Sequence, residues 1–164
     1  GLLIERYYRE IYAYTYRQVA CKELAMDLTQ EIFILVLKGI RAFDEKKGSF
    51  RTWIYRIASN KITDYYRSLA YRKSQLEGPY GQEYEHTGVS PDISSQVLRQ
   101  ETIREVMAVI VRYDESWIQI FQKHCFEEQT FAEIAEELKL SEGTVKTRYY
   151  KMLAQIRKEV ADNE

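Results

Sequence analysis

The sequence predicts an all-α protein of two small helical domains joined by a flexible linker, and three observations predict it. Apolar residues recur at helical spacing along most of the 164-residue chain, while Gly (7) and Pro (2) are scarce. Both prolines, Pro79 and Pro91, and three of the glycines fall between Ser74 and about Ser95, a stretch without helical periodicity. Hydrophobic residues make up 45% and charged residues 30%, which permits real cores and excludes a disordered chain. The expected division is 1–73, a linker over 74–96, and 97–164.

Each element follows from its apolar stripe. Residues 3–20 form a first helix on Leu3, Tyr7, Ile11, Tyr14 and Val19. Residues 24–42 form a second on Leu28, Ile32, Phe33, Leu35, Val36 and Ile40. Ile34 and Leu37 carry its apolar surface further round the cylinder, so this helix is buried on more than one side or meets a partner. After the polar break Asp44–Ser49, a third helix runs from about Phe50 to Ser68, with Trp53, Ile54, Ile57, Ala58, Ile62 and Tyr65 inward. Beyond the linker, Val97–Arg112 and Ser116–Glu127 are helical. Thr130 and Glu133 make a capping box for a short helix, Phe131–Leu138. Lys139-Leu140 is the turn, and Ser141 caps a last helix with Val145, Tyr149, Met152 and Ile156 inward.

Charge is sorted along the chain, although the net is only −1. Residues 1–73 hold 14 Lys/Arg against 8 Asp/Glu, the linker holds four acids and no base, and 97–164 hold 10 against 13. Within that last segment, 141–158 carry five bases and one acid, a local field suited to an anionic partner. The 14 tyrosines fit half-buried helix surfaces and equally surfaces that meet bases or proteins.

Several classes lack support. No HExxH, GxGxxG or Walker loop occurs, and His86 and His124 have no second histidine at ligand spacing, so neither catalysis, a metal nor a cofactor is expected. Cys21 and Cys125 read as reduced thiols of a cytoplasmic protein. No apolar run reaches membrane-spanning length, so direct membrane insertion is not expected. Opening on Gly1 without a Met suggests a trimmed start.

The segment Phe131–Lys158 has the plan of a helix-turn-helix, in which a short helix and turn brace a second helix for the major groove. Ser141, Gly143 and Thr144 are small enough for close approach to phosphate, and Lys146, Thr147, Tyr150 and Lys151 project outward. Periodicity alone leaves a plain helical hairpin with a solvated face equally open. The wording Phe131-Ala-Glu-Ile-Ala-Glu-Glu-Leu138 and Ser141-Glu-Gly-Thr-Val-Lys-Thr-Arg148 resembles the −35-binding region of sigma factors, and also the helix-turn-helix of response regulators. Lys139 stands where such motifs commonly carry Gly, which calls for a left-handed lysine.

A second constellation separates the two families. Asp27-Leu-Thr-Gln-Glu-Ile-Phe-Ile34, Phe43, Phe50-Arg-Thr-Trp-Ile-Tyr-Arg-Ile-Ala-Ser-Asn60 and Asp64-Tyr-Tyr-Arg67 resemble region 2 of the extracytoplasmic-function sigma factors, in order and at family spacing. The resemblance implies a transcription initiation factor that is not an enzyme. It implies that Asp27, Gln30, Glu31 and Ile34 dock on the β′ coiled coil of core RNA polymerase, with the β flap as a further contact of the factor. Phe43, Lys46, Lys47, Asn60, Lys61 and Arg67 would hold the −10 element, with Phe43 and Asn60 around a flipped base, and Arg51 and Arg56 add basic charge nearby. Ser141, Thr144, Lys146, Thr147, Arg148, Tyr150 and Lys151 would read the −35 element. An anti-sigma factor is the implied inhibitor and could hold the protein at the membrane, and the two domains are expected to move independently without a partner. Two rival readings are an autonomous helix-turn-helix regulator, which would bind a palindrome as a dimer, and a helical adaptor that needs no DNA.

Overall fold

In the computed structural model, which describes residues 1–75 and 91–162, the chain forms seven α-helices, and no strand occurs among the described residues. The expected linker falls mostly on residues 76–90, outside the described residues. The N-terminal half contains α1 (Leu2–Val19), α2 (Lys22–Gly39) and α3 (Phe50–Gln75), with two short 3₁₀ turns at Ile40–Ala42 and Glu45–Lys47. The C-terminal half contains α4 (Pro91–Ile110), α5 (Glu115–Cys125), α6 (Phe131–Leu138) and α7 (Glu142–Asp162).

Local chemistry sets most boundaries. Ala20 takes a left-handed conformation (φ 52°) and returns its N–H to the Tyr16 carbonyl at 2.7 Å, closing α1. Asp44 accepts from the Lys46 N–H and Ser49 from the Thr52 N–H, so the polar break caps both the 3₁₀ turn and α3. Gly39, the last residue of α2, lets Trp53 lie close against it: a Cβ there would stand 3.2 Å from the indole. α3 continues past the expected end at Ser68 to Gln75, and α4 starts at Pro91, before the expected Val97. Proline suits a first helical turn, since its missing N–H would have no intrahelical partner.

The N-terminal core is built from Ile11, Tyr14, Ala25, Leu28, Ile32, Val36, Ile54, Ala58 and Ile62, and the C-terminal core from Met107, Ile110, Ile118, Ile120, Ile134, Val145 and Met152. Three expected core positions are corrected by the structure. Leu3, Leu35 and Ile40 are exposed, because α1 and α3 cover only one side of α2 and the first turn of α1 stands clear of them.

Candidate nucleic-acid and polymerase interfaces

The C-terminal site is framed by two caps and a strained turn. Thr130 accepts from the Glu133 N–H at 3.1 Å, the expected half of the capping box, while no return bond from the Glu133 carboxylate forms. Lys139 has φ 58° and ψ 44°, as its place in the turn required. Its N–H points to Glu136 O and that of Leu140 to Ala135 O, a Schellman closure that offsets a left-handed side chain costing roughly 1–2 kcal/mol. Ser141 then caps α7 through the Thr144 N–H at 3.1 Å, with the two hydroxyls 2.8 Å apart.

Behind the turn, an aromatic wedge sets the angle of α7. His124 stacks on Phe131 at 4.3 Å, Tyr149 meets both rings, and His124 Nδ1 lies 2.9 Å from the Gln129 carbonyl. Burial and the neighbouring Cys125 push the Tyr149 hydroxyl up to about 12, so it stays neutral at any physiological pH. On the outer side of α7, Lys146, Thr147, Tyr150 and Lys151 are all exposed, and Lys146 pairs with Glu142 at 3.1 Å. Arg148 is the exception. Its guanidinium donates to Ser116 Oγ at 3.2 Å and lies over the Trp117 ring at 5.2 Å, so it braces α7 on α5 and does not join the outward set.

On α2, Asp27, Gln30, Glu31 and Ile34 form an exposed stripe, as the i, i+3, i+4, i+7 spacing requires. Beside it lie Met26, Leu35, Leu37 and Ile40, also exposed, with Leu37 64% and Ile34 50% accessible. The breadth of apolar surface therefore reflects an uncovered face, not burial on two sides. An exposed apolar strip of this kind has area to gain by burial against another surface.

The third set is split. Phe43 is half-buried, its ring 5.5 Å from Phe50 and 5.2 Å from Trp53. Lys46 and Lys47 stand exposed on the 3₁₀ turn. Lys61 is paired with Glu31 at 3.1 Å, which joins the stripe on α2 to the basic face of α3. Asn60 and Arg67 are exposed but face α5: both line a cavity of about 270 Å³ with Asp64, Glu115 and Gln119. Asn60 thus does not share a pocket with Phe43 here, which packs with Phe50 and Trp53.

Comparison with known proteins gives these surfaces a common origin. Residues 3–72 match the family model of sigma-70 region 2, and residues 119–156 match that of sigma-70 region 4. Two proteins of Bacillus subtilis (strain 168) are similar along their length. One, "RNA polymerase sigma factor YlaC", is 27% identical over 95% of this chain and 88% of its own. The other, "ECF RNA polymerase sigma factor SigW", is 28% identical over 98% of this chain and 88% of its own. The "ECF RNA polymerase sigma-E factor" of Escherichia coli (strain K12) is 27% identical, covering 92% and 81%. The chain belongs to the extracytoplasmic-function sigma factors.

As such a sigma factor it recognises promoters and starts transcription with RNA polymerase. The family is one of transcription regulators. No helix among the described residues is long and apolar enough to cross a membrane. What sequence reasoning missed in this sigma factor lies between its halves. Gln18, Thr63 and Gln122 are buried, and the Gln122 amide donates to both of the others, Gln18 lying 104 positions away. The signal available was weak: Gln122 follows Ile118 by four residues and so extends an apolar stripe with an amide.

Proposed function

We propose that this sigma factor divides its work among three surfaces and is not an enzyme. The exposed stripe Asp27, Gln30, Glu31 and Ile34, widened by Leu37, docks on the β′ coiled coil of core polymerase, with the β flap as the factor's other contact. Phe43, Lys46, Lys47, Asn60, Lys61 and Arg67 serve the −10 element and its opening. Ser141, Thr144, Lys146, Thr147, Tyr150 and Lys151 serve the −35 element, while Arg148 holds α7 in place. An anti-sigma factor controls access to these surfaces, and the protein works in the cytoplasm, where the chromosome is, or is held at the membrane by that inhibitor. The domain division 1–73, 74–96 and 97–164 is part of this reading.

The observation that carries it is the contrast between two uncovered helix faces. α2 leaves Met26, Ile34, Leu35, Leu37 and Ile40 to solvent, whereas the outer side of α7 leaves lysines and hydroxyls. Apolar surface gains by burial against protein, and lysines and helix N-termini gain against phosphate. Purified protein added to core polymerase tests the reading through run-off transcription from a candidate promoter. Initiation that depends on both is expected. A protein that binds a palindrome as a dimer and leaves core polymerase inactive would belong to the autonomous regulators instead.

A further inference from the structure

The two halves do not stand apart. Gln122 Nε2 on α5 donates to Gln18 Oε1 at 3.1 Å and to Thr63 Oγ1 at 3.4 Å, an amide clasp that joins α5 to α1 and α3. Tyr66 donates to the Gln18 carbonyl and fixes that residue from its own side. The expectation of independently moving domains is thus replaced by a docked arrangement. Docking leaves a groove of about 270 Å³ beside the clasp, and two helical stripes face each other across it. Asn60, Thr63, Asp64 and Arg67 line it from α3, and Glu115, Ile118, Gln119 and Gln122 from α5, each set at i, i+3, i+4 and i+7.

The floor of this groove is buried and its rim is charged. Thr63, Ile118 and Gln122 form the floor, and the clasp uses only the nitrogen of Gln122, leaving its oxygen to accept from a donor in the groove. Asp64, Arg67 and Glu115 stand exposed on the rim. Among the described residues none of the three is in an ion pair, although Asp64 and Arg67 lie one turn apart. Two carboxylates against one guanidinium leave one negative charge over, which complements a small molecule with two cationic groups and one anionic group. Side chains at i and i+3 start about 5–6 Å apart, so Asp64 and Arg67 suit an ammonium and a carboxylate carried on one carbon. Glu115 faces them from α5, and Ile118 offers apolar surface to a methylene stem between the two ends. Clefts at domain boundaries are favoured places for such ligands.

We propose that the groove between α3 and α5 binds a basic α-amino acid, its carboxylate on Arg67, its α-ammonium on Asp64 and its side-chain ammonium on Glu115. The amides of Asn60 and Gln119 supply donors and acceptors beside the charged groups. The inference does not need the promoter or polymerase assignments, since Asp64 and Glu115 belong to neither. A ligand held by both halves at once stabilises the docked chain and raises its melting temperature as its concentration rises.

Titration calorimetry and thermal melts on the full chain test this, with L-lysine as the probe. Cadaverine, which lacks the carboxylate, and L-norleucine, which lacks the side-chain ammonium, are the comparisons. L-lysine should bind saturably and raise the melting temperature, and each comparison compound should bind about tenfold more weakly for its missing charged group. Asp64→Asn and Glu115→Gln keep side-chain shape at exposed positions, and each should weaken L-lysine by about tenfold. Glu115→Gln should leave L-norleucine binding as it was, because that compound has nothing to offer Glu115. Absence of saturable L-lysine binding overturns the proposal, and so does full affinity in either folded variant. Cadaverine bound as tightly as L-lysine removes Arg67 from the site and the amino acid with it. Should a variant lose helix content, the wild type decides alone: equal affinity for L-lysine and L-norleucine overturns the proposal, and a clear preference for L-lysine upholds it.

Discussion

α2 and α7 each bury one side in their own domain and leave the other free, yet the free sides have opposite chemistry. On α2 it is an aliphatic strip edged by Asp27, Gln30 and Glu31. On α7 it is Lys146, Thr147 and Lys151, with Tyr150 as the one large exposed ring at 56%. The first surface pays no penalty in salt and is insensitive to counterions, while the second draws its strength from releasing them. On the proposed assignment, a helix's partner is legible from which groups its own fold fails to cover, and the two ends of this chain address different classes of macromolecule.

Substitutions on these faces break or sharpen that contrast. Ile34→Asp with Leu37→Asp should cost about 1.5–3 kcal/mol per side chain in polymerase docking, or some two to four orders of magnitude together. Melting temperature should change little, because both side chains already have half or more of their surface in water; a pull-down on core polymerase beside a thermal melt checks both. Asn60→Ala should leave that pull-down unchanged and reduce promoter opening by about 1–3 kcal/mol, read as permanganate reactivity of unpaired thymines. A sharp loss of melting temperature instead would make Asn60 a structural residue.

Arg148→Ala should act on stability, by about 0.5–1 kcal/mol for the lost stacking on Trp117, and leave the salt slope of −35 binding as it was. Lys146→Ala and Lys151→Ala should do the opposite, each flattening that slope by roughly one while the melt stays put. A base contact would instead appear as a loss confined to one promoter position.

The mildest effect concerns pH. The Glu127 carboxyl is raised by burial first, against the lowering field of Lys123, with Glu137 adding repulsion and Arg51 attraction, and Tyr14 facing it from α1. A group raised by docking favours the docked state below its ordinary value and loses that contribution as pH rises through the raised one. Scattering should therefore show a slightly more compact free chain as pH falls from neutral toward the ordinary carboxylate range. Glu127→Gln should remove the trend.

Much of the fold was legible because its signals are local. The caps at Thr130 and Ser141 and the left-handed Lys139 all depend on residues within a few positions of each other, whereas which side of α2 is covered does not. Helix ends were less so: α3 runs to Gln75 through a polar stretch whose periodicity is weak, and Pro91 starts a helix inside what composition marks as linker. Arg148 read as one more base on an outward face, and only the position of Ser116 and Trp117, 32 and 31 residues away, turns it inward. The amide clasp is long-range in the same way. Glutamine carries no apolar signal, so nothing in the pattern says that Gln18 and Gln122 meet.

The division between the two faces is tested most directly by photo-crosslinking in a polymerase–promoter complex, with a photoreactive residue placed at Leu37 in one variant and at Tyr150 in another. Crosslinks from position 37 should go to polymerase and none to DNA, and those from position 150 to the upstream promoter duplex. DNA captured from position 37, or only protein from position 150, would contradict the account.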